Sequence, residues 1–182
     1  MMPVHVNYSG TKVPENGTYY MVARNGMLMH VRNDWVDAVV PMKEFQALEP
    51  VEIRAQLKLP PIDALVFAKA VAFFSSIYIR YGTEAIVLLH YGAELGWQLS
   101  VPRQQVSRSQ VRYKMDERIA GYQCVGTMHS HADMLAGHSH VDIADEGVFD
   151  GVHLTVGSLE RVPQFSLDAE IVVRGQRFPL GI

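Results

Sequence analysis

The chain has 182 residues, of which 48% are hydrophobic and 19% charged, a composition typical of a globular protein and not of a disordered one. Its formal net charge of −3 argues against nucleic acid as a partner, because nucleic-acid-binding surfaces carry an excess of basic residues. Cys124 is the single cysteine, so no internal disulfide can form, and we expect a cytoplasmic protein.

The sequence does not predict a membrane protein. The N-terminal residues lack the basic stretch and apolar core of a signal peptide. The most apolar run, residues 64–79, is interrupted by Lys69 and is shorter than a membrane span requires. We therefore expect a buried helix there, and no membrane as a partner.

Residues 1–58 are predicted to form a β-rich extension. Two β-prone runs, 18–23 and 27–31, flank Asn25-Gly26, and Asn-Gly between such runs indicates a hairpin. A third strand is expected over 35–40. No catalytic pattern occurs in this extension, so we interpret it as a structural or interaction appendage.

Residues 59–182 are predicted to form one mixed α/β domain of the α+β class, with helices among strands. Pro60-Pro61 suits the first turn of a helix, and Gly82 supplies its C-terminal stop. A second helix is expected over 139–149. The remaining elements are strands, expected over 83–90, 96–101, 110–114, 121–128, 152–156, 165–173 and 176–180.

Five of the eight histidines fall between positions 129 and 153, and two of them form an H-x-H pair. On an extended segment, side chains two residues apart point the same way, so His129 and His131 can present nitrogens to one ion. Asp142 is the natural third ligand if the loop turns back, and Gly137 eases that turn. This donor set predicts a zinc site with three protein ligands and one position for water.

Ser139 and Asp142 also admit a structural interpretation. Ser-x-x-Asp before an apolar run is a capping box, in which Ser139 caps a helix and Asp142 satisfies backbone donors. The two roles are compatible, because a metal ligand can lie in the first turn of a helix. Beside the H-x-H pair we favour the metal interpretation.

A metal-dependent hydrolase also needs a group that carries protons. Glu84 is the best candidate, because it follows a glycine-terminated helix and precedes an apolar strand, although position alone favours an exposed residue at a loop exit. Asp145 and Glu146 are rivals. For these two, a solvated helix face or support of the histidines is the more ordinary role.

Together these residues resemble the JAMM motif of the MPN-type metalloproteases. Glu84 ahead of an apolar strand, followed by His129-x-His131-x7-Ser139-x-x-Asp142, matches its four-part pattern, and the resemblance covers residues 60–180. It implies a curved mixed sheet flanked by helices, similar to the cytidine deaminase fold. It also implies hydrolysis of peptide or isopeptide bonds, often at the C-terminal tail of ubiquitin or a ubiquitin-like protein.

The resemblance implies a role for each residue of the motif. His129, His131 and Asp142 would bind Zn²⁺. Glu84 would deprotonate the attacking water and protonate the leaving amine, and Ser139 would donate a hydrogen bond to the developing oxyanion. The chain size and the stretch Val101-Pro102…Val106-Ser107 are also similar to a component of the bacterial PRTRC gene cassette, which implies a small ubiquitin-like carrier protein as partner.

The chain departs from the family pattern at three places. Ala132 and His138 stand where the family usually has proline, and residues 89–92 replace a glycine-rich strand end. None of these changes removes a ligand or the base. A site of four histidines, completed by His138 and His140, is a less favoured alternative.

Two other functions stay open. A non-catalytic MPN-like interaction module is the main alternative, although inactive members usually lose ligands or the glutamate, and this chain retains them. A metallo-β-lactamase-like hydrolase is disfavoured, because residues 129–133 begin its H-x-H-x-D-H pattern but Met134 replaces the last histidine. Four cations are interpreted as a solvated face more readily than as a substrate loop: Arg103, Arg108, Arg112 and Lys114.

Overall fold

The computed structural model describes residues 2–15, 17–45, 48–115 and 118–181, with the backbone alone for His140, Val141 and Asp145. The chain divides into two units, Met1–Glu52 and Ile53–Ile182. The division precedes the boundary expected at 58/59, because Leu57 and Leu59 pack against the core of the second unit.

The first unit is a four-stranded sheet in the order β1-β2-β3-β4. Strands β2 and β3 are antiparallel and meet at Ala23 and Gly26, which confirms the predicted hairpin. Strand β1 pairs with β2 in parallel and was not predicted from the sequence. The strands of this unit are β1 (Val4–Val6), β2 (Gly17–Ala23), β3 (Gly26–Arg32) and β4 (Asp37–Pro41).

The second unit contains a six-stranded mixed sheet in the order β12-β11-β10-β9-β5-β6, with a separate two-stranded hairpin of β7 and β8. Strands β9 and β10 are parallel, and the other neighbours in the sheet are antiparallel. The strands are β5 (Ile86–Gly92), β6 (Gly96–Ser100), β7 (Gln104–Val106), β8 (Val111–Tyr113), β9 (Gln123–Ser130), β10 (Gly151–Gly157), β11 (Ser166–Val173) and β12 (Gln176–Pro179).

Helix α1 (Ala64–Tyr81) begins and ends at residues that the sequence marks. The Asp63 carboxylate caps its first turn, and Gly82 closes it in the left-handed conformation, with φ of 63°. Phe74 and its buried neighbours Ala70 and Val71 lie in the core of the second unit.

The expectation of a buried helix over residues 64–79 is wrong. Only one face of α1 is buried, and Leu65 and Ile79 are 64% and 82% exposed. By length and composition alone α1 could cross a membrane, a test that core helices of soluble proteins also pass. The helix is thus a surface element whose exposed face carries Leu65 and Ile79 beside Lys69 and Arg80.

Three further differences concern short elements of the second unit. Helix α2 (His140–Glu146) ends before Gly147, so the predicted extension to 149 is wrong. Strand β7 and a 3₁₀ turn at Leu159–Arg161 were not predicted. Few helices among many strands make this an α+β fold, as expected from the sequence. Strands β5, β9 and β10 form its buried centre.

Candidate metal centre

His129 lies on strand β9, and His131 directly follows the end of that strand. His129 pairs with Ile86 of β5, and the backbone N–H of His131 donates to Val156 of β10 at 2.8 Å. Ser130 lies between them, and its hydroxyl accepts a hydrogen bond from the Ala85 N–H at 3.0 Å. Both imidazoles are buried, at 4% and 8% exposure, so the sheet fixes their positions.

Helix α2 supplies the carboxylate. Asp142 lies in its first turn, and Asp142 Oδ2 accepts a hydrogen bond from the Ser139 backbone N–H at 2.7 Å. The Ser139 hydroxyl accepts in return from the Asp142 N–H at 3.3 Å. The capping box is therefore present, and it holds Asp142 where its carboxylate faces both histidines.

The three side chains have the spacing of ligands around one ion. Their candidate ligand atoms all lie within 4.8 Å of one another, in a buried to half-buried setting. Nε2 of His129 lies 3.1 Å from Nε2 of His131, and the two nitrogens lie 3.5 and 3.2 Å from the oxygens of Asp142. Tetrahedral zinc with bonds of about 2.0–2.1 Å requires ligand separations of roughly 3.3 Å, so the donor set fits such an ion.

The pKa shifts of Asp142 and His131 have opposite effects on ion binding. Burial alone would raise the pKa of the Asp142 carboxyl, but hydrogen bonds from His129 and His131 lower it far below the usual value. Burial lowers the pKa of His131, while the hydrogen bond to Asp142 and the charge of Glu84 raise it to a net higher value. Asp142 is therefore anionic, and protons compete with a metal ion for His131 as the pH falls.

Glu84 lies just ahead of β5, with its backbone N–H donating to Ser107 at 3.0 Å. Its side chain is 3% exposed, which corrects the simpler expectation of an exposed loop residue. Burial raises the pKa of Glu84 to about 7; the charge of His131 lowers it and that of Asp142 raises it further. A buried carboxylate that senses two candidate ligands is suited to accept and return protons near neutral pH.

A buried network of charged groups lies beside His129, and sequence spacing did not predict it. Oε1 of Glu146 is 3.9 Å from Nδ1 of His129, and its other oxygen contacts Nδ1 of His138 at 2.9 Å. Arg177 donates to the same carboxylate at 2.7 Å and also pairs with Glu170. Of the two rivals of Glu84, Glu146 thus supports the histidines, while the Asp145 side chain lies outside the described part.

His138 belongs to this network and not to the ligand set. Its Nδ1 bonds Glu146, and its ring centroid is 6.2 Å from that of His129. The proline that the JAMM family usually has at this position would leave the Glu146 carboxylate without this partner. Among described residues His138 therefore adds no fourth ligand, and the side chain of His140 is not described.

The backbone conformation of Ala132 agrees with the absence of proline at this position. Ala132 is fully buried and has φ of 50°, a value that the proline ring cannot adopt. The loop after His131 hence follows a path that proline would not permit. Next to it, Asp133 bonds Arg108 at 3.2 Å and is not a member of the metal-binding group, which removes the main support for the β-lactamase-like alternative.

The β7–β8 hairpin flanks the candidate centre. The amide of Gln104 makes two hydrogen bonds to the backbone of Ile86, at 2.9 and 3.0 Å, and ties the hairpin to β5. Val111 and Tyr113 of β8 then line a small cavity of about 20 Å³ with His129 and Asp142. That volume suffices for a single water molecule.

Other predicted residues have ordinary roles. His153 is fully buried, with Nδ1 2.9 Å from the Thr127 hydroxyl and Nε2 3.0 Å from the Phe149 carbonyl oxygen. Burial raises the pKa of the Cys124 thiol, which opposes thiolate formation. Ser139 is exposed at the N-terminus of α2, where its hydroxyl remains accessible.

Comparison with known proteins shows the fold alone. No model of a protein family matches the chain, and no curated protein matches it. Among 23 matching chains of solved structures is the solution structure of protein DSY2949 from Desulfitobacterium hafniense. It is 15% identical, with a TM-score of 0.50, and the match covers 65% of this chain and 88% of that one. This likeness supports the mixed α+β architecture.

Proposed function

We propose that the protein is a zinc-dependent peptidase or isopeptidase of the JAMM (MPN) type. One observation carries the proposal: His129, His131 and Asp142 present three ligand atoms at the spacing of a tetrahedral ion. The second unit would then have the cytidine-deaminase-like core of that family. Glu84, buried and electrostatically coupled to the same ligands, supplies the proton carrier that hydrolysis of an amide needs.

In this proposal, each residue of the centre has its own role in amide hydrolysis. Zinc, when bound to the three ligands, supplies Lewis acidity and lowers the pKa of water toward neutrality. Glu84 takes the proton from the attacking water and delivers it to the leaving amine. The exposed Ser139 hydroxyl donates a hydrogen bond to the oxyanion as the carbonyl becomes tetrahedral.

The resemblance to the JAMM family also suggests the substrate and its compartment. We propose that the scissile bond lies at the C-terminal tail of a ubiquitin-like or carrier protein, in the cytoplasm. The single cysteine and the negative net charge are compatible with a reducing compartment and with a protein substrate. Nucleic acid and membranes are not part of this proposal.

The decisive experiment compares metal content and amide hydrolysis in three proteins. Wild type is expected to bind about one zinc per chain and to cleave a ubiquitin-like tail fusion. His131→Ala is expected to lose zinc, and Glu84→Gln to retain zinc while turnover falls by at least about 10²-fold. Glu160→Gln, on the exposed 3₁₀ turn, is the matched control and should behave as wild type.

Two results would contradict the proposal in different ways. Normal cleavage by Glu84→Gln would show that another group carries the proton. Zinc-independent binding of the carrier by wild type and His131→Ala, without any cleavage, would favour the non-catalytic interaction module.

A further inference from the structure

The β7–β8 hairpin carries a basic groove beside the candidate centre. Residues 101–115 contain four cations and no acidic residue, in a chain whose net charge is −3. Three of these cations line a cavity of about 310 Å³ at the open end of the hairpin. We call this cavity the basic groove, lined by Arg103, Gln104, Gln105, Arg112, Tyr113 and Lys114.

Two cations of the basic groove, Arg103 and Lys114, face each other across the hairpin. The backbone N–H of Lys114 donates to the Arg103 carbonyl at 3.2 Å, next to the paired residues Gln104 and Tyr113. Arg103 and Lys114 therefore lie opposite each other on the two arms of the hairpin. Like charges directly opposite each other destabilise a strand pair.

No acidic partner relieves this repulsion within the residues that the structure describes. Arg103, Arg112 and Lys114 are exposed and make no ion pair there, whereas Arg108 at the hairpin turn pairs with Asp133. Within the described part of the chain, this arrangement of cations without an acidic partner costs stability. It becomes favourable when an anionic ligand occupies the groove.

The basic groove is held at a fixed place relative to the metal ligands. Gln104 fixes the hairpin to Ile86, and Ile86 pairs with His129. Tyr113 lines both the groove and the small cavity beside His129 and Asp142. A polypeptide whose scissile amide lies at the metal centre can thus extend along Tyr113 into the groove.

We propose that the basic groove binds an acidic stretch of the substrate polypeptide, adjacent to the amide bond that is cleaved. Cleavage of this polypeptide rests on the function proposed above, whereas binding of its acidic stretch does not. Carboxylates suit the groove because arginine binds them through two parallel hydrogen bonds, and three cations can engage several acidic side chains in succession.

The test uses two quenched peptides that differ only beside the scissile amide, with three glutamates in one and three glutamines in the other. Wild type should cleave the acidic peptide with a kcat/KM about 5- to 20-fold higher, mainly through KM, and high ionic strength should remove the difference. The triple variant Arg103→Gln/Arg112→Gln/Lys114→Gln should bring the ratio of the two kcat/KM values close to one. Arg161→Gln, an exposed arginine outside the groove, should keep the wild-type ratio.

A binding measurement distinguishes failure of this inference from failure of the proposed function. Fluorescence anisotropy with uncleavable versions of both peptides measures binding by the full chain, whether or not it is a hydrolase. Selective binding of the acidic peptide, lost in the triple variant, supports the groove even if no cleavage occurs. Equal affinity for both peptides in wild type overturns it and leaves the hydrolase intact. Tighter groove-dependent binding of a single-stranded oligonucleotide of equal charge also overturns it.

A charge-reversal variant tests whether misfolding could explain a loss of selectivity in the triple variant. Arg112→Glu/Lys114→Glu should prefer a lysine-flanked peptide over the glutamate-flanked one, which a merely damaged protein would not do. A loss of all discrimination with an unchanged circular dichroism spectrum would count against the inference.

Discussion

Burial of Glu84 makes the stability of the fold depend on pH. Its pKa is raised to about 7, mainly by burial, from an ordinary value of 4.5. Between these values the folded chain retains a proton that the unfolded chain has released. Folding stability from this group is therefore present below pH 4.5 and is lost as the pH rises toward 7.

This gives a prediction for metal-free protein. Glu84→Gln removes the cost of the buried charge, so at pH 8 the variant should be more stable than wild type by roughly 2–3 kcal/mol. At pH 4 the two should unfold alike, because the glutamate is protonated. Urea titrations at both pH values in the presence of a chelator measure the difference, and a constant offset at both would contradict it.

Glu146 acts on the candidate centre through His129. Its buried carboxylate lies 3.9 Å from Nδ1 of His129, so its negative charge is close to the ring nitrogen that does not face Asp142. Carboxylates behind metal-binding histidines commonly contribute 10- to 100-fold in metal affinity.

We expect Glu146→Gln to weaken zinc binding by about 10- to 100-fold, measured by competition with a fluorescent chelator. The substitution retains the volume of the side chain, so folding should survive. Asp168→Asn on β11 serves as the control for a lost carboxylate outside the network. Wild-type affinity in Glu146→Gln would show that the charge at this position does not act on the metal.

At the scale of elements, the segment between the histidine pair and α2 rests on the corner that follows β10. The N–H groups of Ser158 and Leu159 donate to Met134 and Ala132, at 2.6 and 2.8 Å. A Cβ at Gly157 would lie 2.3 Å from backbone atoms of Met134 and Ala136. The absence of a side chain at Gly157 is what lets the two segments approach.

Gly157→Ala should therefore displace the loop between His131 and Asp142. We expect a loss of about 2–4 kcal/mol in stability and a parallel loss of zinc affinity, since backbone atoms cannot move aside cheaply. Gly181→Ala, where a Cβ meets nothing within 4 Å, is the matched control. Equal melting temperatures of the two variants would contradict the role of this contact.

At the scale of the whole molecule, every ligand and support of the candidate centre belongs to the second unit. Among the described residues, the core of the second unit is formed by side chains between Leu57 and Leu180. The first unit has its own buried network, in which the Tyr19 hydroxyl contacts His30 at 2.5 Å and His30 contacts Asp37 at 2.6 Å.

We expect residues 53–182 to fold and bind zinc without the first unit. Zinc affinity of this fragment should lie within about threefold of that of the full chain, because the ligands and their supports are retained. Calorimetry of both proteins measures it. A fragment that is folded but unable to bind zinc would show that the first unit contributes to the centre.

The sequence by itself determined most of the elements and the candidate ligands. Local chemistry was sufficient for the Asn25-Gly26 hairpin, the Gly82 helix end and the Ser139–Asp142 capping box, because each depends on neighbours a few residues apart. The H-x-H spacing likewise sufficed to place two imidazoles on one side of a strand.

Only the tertiary structure decided what is buried and what meets across the chain. Glu84 is buried next to the turn after β7, where its backbone N–H donates to Ser107, and the network of Glu146 with Arg177 joins residues 31 positions apart. The basic groove likewise arises from register within a hairpin of which only one strand was predicted. Burial and long-range charge pairing depend on packing between distant segments, which periodicity and spacing along one chain do not encode.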